Sequence, residues 1–250
     1  MYELYLNVLY KPVLNFLVFL HNVVPGHDIG LAIIILTILI KLILLPLTAK
    51  SIKSQKALQD IQPKVEALKA KYKDDKQKLS AETMALYKEQ KVNPFSSCLP
   101  LLIQFPLLIA VYQAFNTGLT STDLAPYIYP FVSLPEHLNT ISLGFIDLSK
   151  TSLPLAILAG AAQYLQTAML NTKKPAAKSE ASKDEAMLSS VNKSMLYFMP
   201  FLTVIIGMSL PGGLTLYWFL MTALTALQQV FIFKKKKENT PAVEIIPPVK

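Results

Sequence analysis

The sequence contains no arginine, so all 24 of its basic residues are lysines. Its single cysteine, Cys98, excludes a disulfide framework and a cysteine-rich metal site. The three histidines, His21, His27 and His137, do not follow the spacing of metal ligands. No phosphate-binding glycine loop, zinc-protease helix or serine nucleophile elbow occurs in the sequence. We therefore expect no enzymatic activity, no metal and no cofactor.

The long apolar runs of the sequence contain none of its sixteen acidic residues. The chain is 52% hydrophobic with a mean hydropathy of +0.40, and its apolar runs alternate with charged blocks. This pattern is typical of an all-α polytopic membrane protein. A proton or cation relay through the membrane normally uses carboxylates, which these runs lack.

Five apolar runs are predicted to cross the membrane, at about 29–47, 98–118, 153–170, 195–210 and 214–233. The net charge of +8 could suggest a nucleic-acid partner, but the lysines concentrate in alternate loops. Eleven lie between the first two spans and five between the third and fourth. The N-terminal segment and the segment between the second and third spans contain one lysine each. The positive-inside rule then places the N-terminus outside and the C-terminus inside, with no specific nucleic-acid partner.

The segments outside the spans have different predicted roles. Residues 1–28 favour an amphipathic helix at the outer membrane surface over a signal peptide, because no cleavage site follows their short apolar run. Residues 48–97 carry apolar positions at helical spacing with a turn at Lys73–Lys76, and so favour a cytoplasmic helical hairpin over a solvated loop. Residues 234–250 begin with four lysines and form a basic cytoplasmic tail, interpreted as a stop-transfer anchor rather than a ribosome contact.

Lys41 is the one ionisable side chain of the first span, about six residues or roughly 9 Å from its end at Leu47. A charge at this depth costs about 2.5–3.5 kcal/mol on insertion scales and usually faces a bundle interior or a wet cavity. The alternative is that the lysine lifts its ammonium to the cytoplasmic interface along its own stem. This segment alone favours neither interpretation.

Other polar and aromatic side chains accompany Lys41 within the spans. Buried amides in membrane helices more often form helix–helix hydrogen bonds than ligand contacts. Together with a lysine in the cytoplasmic half, they suggest a positively charged recess open to the cytoplasm. The candidates are Gln104, Gln113, Gln163, Gln166, Tyr217 and Trp218.

Several long strings of the sequence match one family in order. They are KLILLPLTAKS at the end of the first span, QPKVEALKAKYKDDKQKLSAETMALYKEQKVNPFSSCLPLLIQFP running into the second, and PGGLTLYW with TALQQ in the fifth. Through them, residues 29–233 resemble the YidC/Oxa/Alb family of membrane protein insertases, in a short form without the large outer domain. The family architecture is five core spans, N-out and C-in, with a cytoplasmic hairpin and an outer amphipathic helix.

The resemblance implies an insertase and chaperone of the bacterial plasma membrane. Its partners would be nascent membrane proteins and the lipid bilayer, with or without the Sec translocon, and a ribosome contact stays open. The family's groove cation, usually arginine, matches Lys41, its groove amides match Gln166 and Gln104, and its client-facing aromatic matches Trp218. Lysine keeps the charge but lacks the planar fork of arginine.

Two other classes compete with this interpretation. A small-solute transporter or channel would need intramembrane ion ligands or paired repeats with broken helices, and the sequence shows no such repeat. A structural scaffold or assembly factor stays compatible with the sequence.

Overall fold

The computed structural model describes residues 2–93, 99–120, 125–133, 135, 138–170 and 194–238. The described part of the chain is built from helices with one small β-hairpin. The helices are α1 (Tyr2–Val23), α2 (Ile29–Lys71), α3 (Lys76–Glu89), α4 (Leu99–Thr120), α5 (Leu153–Leu170), α6 (Met199–Gly207) and α7 (Gly212–Glu238). The two antiparallel strands are β1 (Ile141–Ser142) and β2 (Ile146–Asp147), with Ser142 opposite Ile146.

Among the described residues, four helices are long and apolar enough to cross a membrane: α1, α2, α5 and the Gly212–Lys234 part of α7. Leu102–Asn116 and Leu196–Gly207 are shorter apolar helices. An all-α polytopic membrane protein is therefore confirmed. The count of five spans and their orientation stay predictions, because α1 is also long enough to cross.

α1 contains one π-helical turn, Leu6–Tyr10, and packs its apolar face against the beginning of α2 and against α4. Its polar side chains bond to the loop that follows α4. The Asn15 amide donates to the Tyr127 carbonyl at 2.8 Å and accepts from the Tyr129 N–H at 2.6 Å, and Asn22 donates to the Ser133 carbonyl at 2.6 Å. These bonds hold the second half of α1 along that loop. The surface position predicted for residues 1–28 stays a prediction, because the average hydropathy of α1 would also allow a crossing.

α2 runs through both the first predicted span and the first arm of the predicted hairpin. It is a single helix of 43 residues that contains Pro46 and Pro63. The helix continues through both prolines, and no other strong helix breaker lies between its apolar part and its lysine-rich part. The polarity of the sequence therefore changes within one helix. The hairpin turn lies at Tyr72–Asp75, one residue before the predicted turn at Lys73–Lys76, and the Asp75 carboxylate caps α3 by accepting from the Lys78 N–H at 2.9 Å.

The first arm of the hairpin is joined to the C-terminal parts of α5 and α7. Ile52 is buried in α2, and the Lys56 ammonium lies 5.2 Å from the ring centre of Phe233 in α7. The Gln59 amide donates to the Leu170 carbonyl at the end of α5. The base of the hairpin is therefore part of the packed helix assembly.

We expect deletion of residues 62–90, replaced by a short linker, to leave accumulation of the protein unchanged. The same deletion extended to begin at residue 50 should reduce accumulation several-fold, because it removes Ile52, Lys56 and Gln59. Quantitative immunoblotting of membrane fractions measures both. Equal accumulation of the two variants would show that the base of the hairpin does not stabilise the spans.

α5, α6 and α7 pack closely through small residues. Ala156, Ala159, Gly160 and Ala162 of α5 are buried, whereas Ala161 is exposed. A Cβ added at Gly160 would collide with Val204 of α6. Gly160 therefore allows a close approach between α5 and α6.

The Pro211-Gly212-Gly213 segment leads directly into α7. α7 begins at Gly212, two residues before the predicted start of the fifth span. The N–H groups at the start of its first turn donate to the segment between α4 and α5, Gly212 to the Lys150 carbonyl at 2.7 Å and Gly213 to the Leu148 carbonyl at 2.9 Å. The two glycines also admit close neighbours, since a Cβ on Gly213 would collide with the Phe115 ring.

Candidate functional site

Lys41 lies on the side of α2 that packs against α7. Its side chain is only 6% exposed, and its ammonium donates to the Thr225 hydroxyl at 2.8 Å. Thr225 in turn donates to the Met221 carbonyl at 2.7 Å. Thr225 lies eight residues before Phe233, roughly 12 Å along α7, which is a depth comparable to that of Lys41 in α2. The Lys41 side chain therefore contacts a neighbouring helix at a similar depth and does not extend to the membrane interface.

Further polar contacts join α2 and α7 between Lys41 and the hairpin. The Thr48 hydroxyl lies 3.0 Å from the Gln228 side-chain oxygen, and the Gln228 amide donates to the Leu45 carbonyl at 3.3 Å. We call the contacts of Lys41, Thr48, Thr225 and Gln228 the α2–α7 seam. This seam leads from the middle of the helix pair towards the basic hairpin.

Gln104 and Tyr217 are brought together by the structure. The Gln104 amide in α4 donates to the Tyr217 hydroxyl at 3.1 Å, and the Tyr217 side chain is fully buried in the core cluster. A buried tyrosine normally needs such a partner for its hydroxyl. For this pair the helix–helix hydrogen bond, rather than a ligand contact, is the observed arrangement.

The other predicted site residues lie apart from Lys41 in the contacts described. Trp218 follows Tyr217 but is half-exposed, so neighbouring positions of α7 face the interior and the surface in turn. Gln163 and Gln166 are half-buried on α5, and the described hydrogen bonds do not link their side chains to Lys41. Gln113 accepts from the Tyr5 hydroxyl at 2.8 Å, which joins α4 to α1.

The polar residues of α7 are the part of the site that sequence reasoning missed. Thr222, Thr225 and Gln229 recur at a spacing of three and four residues, which places them on one face of the helix. Thr222 and Gln229 are buried, and neither amide atom of Gln229 has a hydrogen-bond partner in the described part of the chain. The i, i+3, i+7 spacing of polar residues in an apolar helix was the available signal.

The seam has positive charge and no described negative partner. In the part of the chain that the structure describes, ion pairs join Lys56 to Asp60 and Lys150 to Asp147, and neither involves Lys41. The same residues include no cluster of histidine, cysteine or carboxylate side chains that could hold a metal ion. The Lys41 ammonium has three N–H donors, of which the Thr225 hydroxyl accepts one. Lys41 therefore supplies the positive charge and hydrogen-bond donors of the seam.

Comparison with known proteins identifies relatives over most of the chain. A family profile described as "60Kd inner membrane protein" matches residues 19–239. The chain is 35% identical over 232 residues to the "Membrane protein insertase YidC" of Fusobacterium nucleatum, covering 92% of this chain and 99% of that protein. It is 36% identical over 219 residues to the protein of the same name from Clostridium tetani, covering 87% of each.

A third relative shows that the same region also occurs within longer chains. The "Membrane protein insertase YidC" of an Anaeromyxobacter species is 37% identical over 206 residues, which are 82% of this chain and 33% of that protein. The profile match and the near-complete coverage of two relatives agree with the strings that first suggested the family. The chain belongs to the 60Kd inner membrane protein family, the family of the YidC membrane protein insertases.

Proposed function

We propose that this protein inserts nascent membrane proteins into the bacterial plasma membrane and assists their folding, with the α2–α7 seam as the place where a client's hydrophilic segment is received. The observation that carries this proposal is the Lys41 ammonium, which lies buried in a membrane helix with a hydroxyl partner instead of a carboxylate. Family membership supports insertion rather than small-solute transport.

The seam lowers the cost of moving a polar segment into the membrane. A polar group transferred without a hydrogen bond costs several kcal/mol, roughly 2–7 depending on the reference state. The free donors of Lys41 and the hydroxyl and amide groups of Thr48 and Gln228 replace part of the client's lost hydration. The process is binding and partition, and it makes or breaks no covalent bond.

The apolar part of the client leaves by a different face. Trp218 is half-exposed and sits one residue from the buried Tyr217, so it borders both the core and the lipid. α5 has 18 residues, about 27 Å, and the Leu196–Gly207 helix is shorter still, so this side would thin the bilayer locally. Burial of the client's apolar helix in lipid supplies the driving force, with no nucleotide or metal.

A cross-linking experiment tests the seam as the receiving site. In a Cys98→Ser background, a cysteine at Gln228 should form disulfides with a cysteine in the hydrophilic segment of a stalled nascent client. A cysteine at Val230, which is exposed on the same helix, is the matched control. Equal cross-linking at both positions, or none at Gln228, would contradict the proposed route.

We further propose five spans with the N-terminus outside and the C-terminus in the cytoplasm. Reporters fused after Lys91 and after Lys237 should be cytoplasmic, because these segments are rich in lysine. A reporter inserted near Glu136 should be external, because that loop contains a single lysine. Paired alkaline phosphatase and fluorescent protein fusions measure this. An external signal from the fusion after Lys91 would overturn the orientation.

The protein is proposed to act alone or beside the Sec translocon. Vesicles that contain this protein as their single component should insert a client with a short hydrophilic outer segment, and added translocon should extend the range of clients. Residues 234–250 are proposed to act as a stop-transfer anchor rather than as a ribosome contact, because four lysines after a span suffice for that role.

A further inference from the structure

The turn between β1 and β2 presents large apolar side chains to the outside of the molecule. The Phe145 N–H donates to the Ser142 carbonyl at 3.2 Å and closes the turn. The side chains of Leu143 and Phe145 are 62% and 78% exposed, and Phe131 in the preceding loop is 81% exposed. Such side chains in water have no packing that stabilises them.

The backbone of this turn makes its composition unusual. Leu143 and Gly144 both have positive φ angles, 53° and 81°. Tight hairpin turns in water place asparagine, aspartate or glycine at such positions, because a larger side chain is strained there. The chain instead keeps leucine at the strained position and phenylalanine beside it.

Hydrogen bonds and close packing hold the turn between β1 and β2 against the first turn of α2. The Asp28 carboxylate caps α2 by accepting from the Gly30 N–H at 2.7 Å, and its other oxygen accepts from the Leu143 N–H at 2.6 Å. A Cβ on Gly30 would collide with the Ser142 hydroxyl, so the hairpin lies directly against the first turn of the helix. Since the apolar run of α2 starts at Ile29, the tip of the hairpin is level with the end of a membrane span.

The surroundings of the tip fit a lipid interface. The described residues 125–133 and 139–146 include no lysine, aspartate, glutamate or histidine, and they contain Tyr127, Tyr129 and Phe131; the charged residues that follow, Asp147 and Lys150, form an ion pair with each other. Aromatic side chains concentrate where a membrane meets water. The loop also continues onto α1 through Asn15 and Asn22, and α1 itself exposes Phe19 and Val23.

We propose that the hairpin tip, formed by Leu143, Gly144 and Phe145, inserts together with Phe131 into the lipid interface of the leaflet at the N-terminal end of α2. The occupant of this apolar surface is the lipid of the bilayer that the spans already contact. Through Asp28, the anchored tip holds the N-terminal end of the helix that carries Lys41.

Fluorescence quenching in vesicles tests the anchor. In a Trp218→Phe background, Phe145→Trp introduces a single tryptophan into the full chain, which is reconstituted in phosphatidylcholine–phosphatidylglycerol vesicles with bromine on the acyl chains near the headgroups. We expect blue-shifted emission and strong quenching by the brominated lipid. Asp74→Trp in the same background, at the exposed cytoplasmic turn, is the control and should emit at longer wavelength without quenching.

The competing occupants give different results. Emission of the new tryptophan that matches the Asp74→Trp control would show a tip in water and overturn the proposal. If the emission is blue-shifted but not quenched, and the blue shift disappears as the protein is diluted in lipid, the tryptophan contacts a second copy of the protein. That result also overturns the proposal.

A second substitution separates the apolar contact from the turn geometry. Leu143→Asn suits the positive φ angle better than leucine does, so it preserves the turn while removing the apolar side chain. We expect it to reduce the quenching of the tryptophan at position 145. Unchanged quenching, with the fold intact by circular dichroism, would show that the tip is not embedded through Leu143.

Discussion

Replacing Lys41 by alanine or glutamate is expected to weaken insertion most for clients whose outer segments are acidic. The ammonium attracts a carboxylate that enters the α2–α7 seam, alanine removes that attraction and glutamate reverses it. Two unit charges 4 Å apart interact by about 1 kcal/mol in water and about 4 kcal/mol near a protein surface. At about 1.4 kcal/mol per tenfold change, we expect at least a roughly fivefold loss for acidic clients. Protease protection of the client's outer segment measures it.

Lys41→Arg is the conservative control, and it should retain insertion because the charge and the reach are preserved. Neutral clients should respond less than acidic clients to Lys41→Ala. If all four proteins inserted acidic and neutral clients equally, the charge at this position would have no role in receiving them.

Thr225 offers a second control for the same charge. Thr225→Val keeps the shape of the side chain but removes the hydroxyl that accepts from the Lys41 ammonium, whereas Thr225→Ser keeps the hydroxyl. We expect insertion of acidic clients to fall with valine and to be retained with serine. Equal insertion by the valine and serine variants would indicate that Lys41 does not depend on this contact.

The helix content and the membrane class could be predicted from the sequence because they depend on local composition. Apolar runs separated by lysine-rich blocks have one physical solution, in which the runs form helices in lipid. The third predicted span, Leu153–Leu170, coincides with α5 because charged or polar segments bound it on both sides. Where the sequence changes polarity while the helix continues, as it does after Pro46 and Leu47, composition marks the membrane boundary but not the end of the helix.

The contacts of the site depend on how the helices are rotated against one another, which a single sequence does not encode locally. Lys41 was recognised because a charge inside an apolar run is costly wherever it points. Its partner Thr225 was missed, because a threonine in a membrane helix is inexpensive and commonly bonds to its own backbone, as Thr225 also does with Met221. Tyr217 and Trp218 were grouped by sequence, yet one is buried and the other half-exposed, since adjacent helical positions point about 100° apart.

Gly160→Leu is expected to cause a large loss of stability. A Cβ at this position already collides with Val204, and the Pro200 carbonyl lies 3.0 Å from it, so the larger side chain must push α5 and α6 apart. Overpacking of a close contact costs about 1–3 kcal/mol and occasionally more. Thermal unfolding in detergent, followed by size-exclusion chromatography, should show a clearly lower midpoint.

Ala161→Leu is the matched control, because Ala161 is the next residue of the same helix and is exposed. It adds the same side chain without a collision, so its midpoint should stay close to that of the unmodified protein. Equal losses from the two substitutions would indicate a general effect of leucine in α5 rather than a close approach to α6.

The smaller change Gly160→Ala identifies the residue that limits the approach. The nearest atom to the added Cβ belongs to the Val204 side chain, which can be shortened, whereas the second contact is a backbone carbonyl that can move only with its helix. Val204→Ala combined with Gly160→Ala should therefore recover part of the lost midpoint, and the two substitutions should be non-additive as residues in contact are. Strict additivity would mean that α5 and α6 do not meet at this pair. Partial recovery is the expected result, because the Pro200 carbonyl still opposes the added methyl group.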